Sequence, residues 1–113
     1  MSSFGYINAS WTLRADLTCE YVCRLLNHMR ATGTTIATPR LRPSYQDMTP
    51  RPWIEGFSAG YLQRALPLLP KQGDREPWLN PQSYRRDITL FRKAPLDDGV
   101  MRFTTRRVRA PAG

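Results

Sequence analysis

Few residues in this chain could do chemistry by themselves. Cys19 and Cys23 stand four apart, and the sole histidine, His28, comes five residues after Cys23. A metal centre needs more ligands than these. A disulfide across one turn of a helix would be strained. Both thiols are therefore expected to be reduced, with Cys19 buried in an apolar face. Reduced cysteines point to a cytoplasmic protein. His28 suits a capping or surface role. Asp97 and Asp98 are adjacent, so they point apart and make no catalytic or metal pair. The seven glycines form no G-x-G-x-x-G, so neither dinucleotide-binding turn is present. What remains is a run of small polar residues, Asn8, Ser10 and Thr12, at the start of a long periodic segment. A helix N-terminus presents unpaired N–H groups and about half a positive charge, which suit an anionic or electron-rich ligand. The same three side chains also serve as ordinary N-caps. Both readings stand at this point.

The element that must position this mouth is the helix behind it. Ala15, Thr18, Cys19, Val22, Leu25, Leu26 and Met29 recur at three-and-four spacing and make one face. Asp16, Glu20, Arg24 and Asn27 fall opposite, with Glu20 and Arg24 as an i,i+4 pair. Leu17 and Tyr21 widen the apolar face. Asp16 near the start and Arg30 at the end suit the dipole, and Gly33 is a stop signal. The pattern predicts a helix from about Thr12 to about Arg30.

The rest of the chain is proline-rich and short in period. Thr34–Thr38 could form a brief edge strand ended by Pro39. Leu41 to Trp53 holds three prolines and reads as extended chain over a surface. Ser58 can cap a short helix over Ala59–Leu66, closed by Pro67. Lys71-Gln72-Gly73-Asp74 is a turn signal. Asn80 and Pro81 can open a helix to Arg92, with Tyr84, Ile88 and Phe91 on its inner face and Arg85 and Asp87 outside. Leu96–Gly99 is a turn, and Val100–Phe103 a short strand.

The expected fold class is mainly α, with irregular proline-rich segments: one long N-terminal helix, two short helices and little strand. The chain divides into a turn and long helix (1–33), an extended linker (34–56), a surface-packed extension (57–104) and a disordered basic tail (105–113). With 113 residues it holds one domain at most. The net charge of +8 permits phosphate contacts. The arginines are dispersed, however, and accompany no nucleic-acid motif, so no specific nucleic-acid partner is expected. No run of about eighteen apolar residues marks a membrane span.

The run GYINASWTLRADLTCEYVCRLLNHM resembles a segment near the C-terminus of class B flavoprotein monooxygenases. The nearest branch is the bacterial Baeyer–Villiger type, which uses FAD and NADPH to oxygenate ketones and sulfides. The later run FSAGYLQRALPLLPKQGDREPWLNPQSYRRDITLFRKAPLDDGVMRF resembles the adjoining C-terminal stretch of those enzymes, through its aromatic-Ser-x-Gly-Tyr, PKQG, PW and Asp-Asp-Gly elements. The resemblance implies that this chain is a C-terminal piece of a larger α/β FAD/NAD(P)-binding fold. A truncated frame, a split gene product and an excised fragment are the three origins it allows. It implies that the helix mouth, with the backbone of Ser10, Trp11, Thr12 and Leu13, lies near the pyrimidine side of the flavin and favours negative charge there. It also implies that PKQG lines the approach to the active site, although a plain surface turn explains that run as well. No residue is assigned as catalytic or as a metal ligand. FAD and NADPH belong to the whole enzyme, and this chain alone is expected to bind neither. Its expected partner is the N-terminal FAD/NADPH-binding portion, and self-association through the helix face is possible. The rival readings are a small interaction module that docks through Val22, Leu25, Leu26 and Met29, and, behind it, a non-specific nucleic-acid binder.

Overall fold

In the computed structural model the described residues are 6, 9–53 and 59–106. They divide into two compact units. One comprises the chain up to Arg42 together with the chain from Gln82 onward; the other is Pro43–Pro81.

The first unit is built on helix α1, Trp11–Thr32. It starts one residue earlier and ends two later than its apolar pattern predicts. Ser10 supplies the N-cap in extended conformation. Thr12 lies inside the helix, and Asn8 falls outside the described residues. The end is set by Gly33, whose φ of 67° lies in the left-handed region that glycine enters without a Cβ penalty. Its N–H and that of Thr34 reach back to the carbonyls of Arg30 and Met29 at 3.4 and 3.0 Å, closing the last turn.

Strand β1, Ile36–Pro39, pairs antiparallel with the C-terminal strand β2, Met101–Thr104, in the register Ile36↔Thr104 to Pro39↔Met101. The two short strands expected from sequence are thus each other's partners. Pro39 is tolerated because it ends an outer strand and needs no ladder donor. Before β2, Asp98 Oδ1 accepts from the amides of Val100 and Met101 at 2.9 and 3.4 Å. Gly99 takes a φ of 83° in that turn. Asp98 is therefore a turn former.

The second long-range element of this unit is helix α3, Tyr84–Lys93. The expected opening at Asn80 and Pro81 is corrected here. Gln82 has a φ of 51°, which no α-helix accommodates. Ser83 caps instead, accepting from the Arg86 amide at 3.4 Å. Asp87, expected on the outer side, is buried at 1% exposure.

The second unit holds the short helix α2, Gly60–Ala65, flanked by 3-10 turns at Pro43–Tyr45 and Leu66–Leu68. Ala59 precedes α2 without a side-chain cap, and the cap expected at Ser58 lies outside the described residues. Buried Gln72, of the Lys-Gln-Gly-Asp run, organises this unit. Its Nε2 donates to the carbonyl of Pro52 at 2.9 Å, its Oε1 accepts from the Asn80 amide at 2.8 Å, and its backbone bridges Arg51. Asn80 Nδ2 donates to the Trp53 carbonyl at 3.0 Å, so Asn80 is a cross-brace here and caps no helix.

Candidate functional site

The expected site residues all sit in the first turn of α1. Ser10 Oγ accepts from the Thr12 amide at 3.3 Å and shares a 2.7 Å hydrogen bond with Thr12 Oγ1. The Leu13 amide donates to the Ser10 carbonyl at 3.3 Å. Ser10, Trp11 and Thr12 are exposed, Trp11 to 60%, and Leu13 is half-buried. The first turn carries no acidic side chain, and Asp16 lies beyond it. The positive end of the helix therefore keeps its field without a carboxylate of its own.

Directly behind the mouth lies a buried polar cluster. Tyr6, Arg14 and Asp87 are 2%, 4% and 1% exposed. The Tyr6 hydroxyl donates to Asp87 Oδ2 at 2.5 Å. Arg14 donates to the same oxygen through Nη2 at 2.9 Å and Nε at 3.3 Å. The guanidinium also lies 4.8 Å from the centre of the Tyr6 ring. Burial, then the hydrogen bond to Asp87 and its charge, push the Tyr6 phenol up to about 12, with Arg14 acting in the opposite sense.

That shift has a stability consequence with a definite sign. An unfolded tyrosine ionises near 10. Between that pH and about 12 the unfolded chain gives up the Tyr6 proton while the folded chain keeps it. The contribution is complete below about pH 10 and is lost as the pH rises through the folded value. The urea midpoint is expected to fall more steeply over this range in the wild type than in Tyr6→Phe, which lacks the proton. Parallel curves would contradict the assignment.

The cluster belongs to a longer seam between α1 and α3. Below it, Tyr21 meets the Phe91 ring edge-on at 5.9 Å. Arg92 Nε donates to Glu20 Oε2 at 2.6 Å. Arg24 donates to the carbonyls of Phe91 and Ala94 at 2.5 and 2.7 Å, satisfying the orphan acceptors at the end of α3. Contacts advance in the same direction along both helices, so they run parallel. Here the sequence expectations are corrected. Glu20 and Arg24 bond to α3 and not to each other, and Arg24 faces inward.

The inner face of α1 is thus Arg14, Leu17, Tyr21, Arg24 and His28, with His28 4.7 Å from the Phe103 ring of β2. This set has the same three-and-four spacing as the apolar stripe, displaced by about a third of the circumference at 100° per residue. Two of its five members are arginines, so hydropathy ranks it second. Of the apolar stripe, Thr18, Leu25 and Met29 are half-buried and the other four residues face outward. Ala15, Cys19, Val22, Cys23 and Leu26 are exposed, Leu26 to 57%. Cys19 is therefore not a core thiol; both cysteines are free and exposed.

The chain is 50% identical over 109 residues to the FAD-containing monooxygenase EthA of Mycobacterium tuberculosis, a match covering 96% of this chain and 21% of that protein. It is homologous to one segment of the FAD-containing monooxygenases. EthA of Mycolicibacterium smegmatis is 39% identical over 110 residues, covering 97% of this chain and 22% of its own length. A protein named “Probable FAD-binding monooxygenase AlmA”, from an Acinetobacter species, is 40% identical over 103 residues, covering 90% of this chain and 20% of its own. The chain thus spans about a fifth of the length of these monooxygenase relatives. No family model and no solved structure matches it. Among the described residues, no helix is long and apolar enough to cross a membrane, and no group of three His, Cys, Asp or Glu could hold a metal ion.

Proposed function

We propose that this chain is the C-terminal segment of an FAD- and NADPH-dependent monooxygenase of the Baeyer–Villiger type, acting in the cytoplasm. In this reading the backbone of Ser10, Trp11, Thr12 and Leu13 faces the flavin held by the rest of the enzyme. When bound, the flavin would supply the redox chemistry. The chain's own contribution is a fixed set of N–H dipoles at the start of α1, which favours negative charge on the adjacent ring. The observation that carries the reading is the orientation of α1. The helix spends its charged face on α3 and leaves an apolar stripe uncovered from Ala15 to Leu26, as a helix does when its main partner is other protein.

Alone, the chain is expected to show no bound-flavin absorption and no NADPH consumption above buffer. Co-expressed with a flavoprotein lacking this segment, it should become stable and restore flavin retention by that protein. A flavin spectrum from the isolated chain, or no rescue on co-expression, would overturn the proposal. The exposed Val22 and Leu26 also favour a second reading, an interaction module with an unrelated partner. In that case the flavoprotein gives no rescue.

A further inference from the structure

We propose that Asp87 is a positioning residue for the start of α1, acting through Tyr6 and Arg14. This rests on the reading of that helix mouth as the flavin-facing element. Ser10 caps the helix. Tyr6 lies four residues before it and Arg14 four after. Both side chains converge on one atom of a third segment, Asp87 Oδ2, at 2.5 Å from Tyr6 and 2.9 and 3.3 Å from Arg14. A single carboxylate oxygen on α3 thereby grips the chain on either side of the cap. Tyr84, the first residue of α3, adds an edge-on ring contact to Tyr6 at 6.0 Å.

Apolar burial is non-directional. Three hydrogen bonds from two flanking segments to one buried acceptor fix direction as well as distance. Buried charge pairs add little net stability against apolar replacements of similar volume, and their best-attested use is to set register. The Asp87 grip meets those conditions at the turn whose aim matters. Arg24 and Glu20, further down α1, hold the helix to the far end of α3.

Amide hydrogen exchange of the full chain tests this with two variants that keep the Asp87 charge partnered. Tyr6→Phe removes one hydroxyl, and Arg14→Lys keeps a cation without the two-pronged donor. In each, amides of residues 15–18 should exchange about tenfold faster, while those of residues 26–30 stay within about twofold of wild type. Should one variant not fold, the other decides by the same criterion. Uniform acceleration along α1 and the β1–β2 pair would make the cluster general structural glue, and no acceleration would make it idle. Either result overturns the inference. The exchange pattern needs no flavin, so it fails independently of the flavin-facing reading, which stands or falls on the co-expression rescue.

Discussion

Replacing Asp87 with alanine is expected to cost about 3–5 kcal/mol of folding stability, because it takes the buried carboxylate away from Arg14 and Tyr6 together. Arg14 is 4% exposed, so water cannot take over the lost contacts without opening the seam. The Tyr6 hydroxyl loses its acceptor in the same step. A domain of this size has about 5–15 kcal/mol in total, and its buried apolar residues are only Tyr6, Leu17, Phe91 and Val100 among those described. The variant should therefore be markedly destabilised, with a clearly lower urea midpoint followed by circular dichroism. Changing both partners, Arg14→Met with Asp87→Leu, removes the buried cation together with its carboxylate. That double variant should recover most of the lost stability. If the single and double variants melted alike, the cost would lie in packing and not in the guanidinium's lost carboxylate.

Introducing a charge on the apolar stripe should have the opposite profile. Val22→Glu and Leu26→Glu change exposed side chains of α1. Each should move the urea midpoint of the isolated chain by no more than about 0.5 kcal/mol equivalent. Yet each would bury an unpaired carboxylate if the stripe is covered in a complete enzyme, a cost of several kcal/mol. Flavin retention on co-expression with the truncated flavoprotein should then fall by at least about tenfold, since 1.4 kcal/mol already corresponds to that factor. A lower melting point without any loss of rescue would mean that the stripe packs within this chain.

Much of this architecture was legible in the residues. The long helix, its Ser10 start and its Gly33 stop come from capping chemistry, and the two β-branched or aromatic runs did become strands. Which face of α1 turns inward was not legible. Hydropathy selects Ala15, Cys19, Val22 and Leu26, whereas the fold selects Arg14, Leu17, Tyr21 and Arg24. The reason is physical. Arginine pairs with a carboxylate or a helix end carried by residues more than sixty positions away, and no local window contains both partners. Asp87 was placed outside for the same reason: its partners are Tyr6 and Arg14. The start of α3 was misplaced because Gln82 takes a left-handed conformation that Pro81 gives no sign of. At the candidate site, the mouth residues were visible as caps, while the carboxylate that holds Tyr6 and Arg14 on either side of them was not.

The pairing of β1 with β2, and of α1 with α3, bears on how the chain acquires its shape. Tyr6 and Arg14 wait for Asp87, 81 and 73 positions away, and β1 waits for a strand at Met101–Thr104. The entire second unit must be synthesised before any of these contacts can close. High contact order of this kind slows folding. On the ribosome, α1 would emerge well before the α3 residues that hold its charged face, and that face would wait for late-arriving sequence.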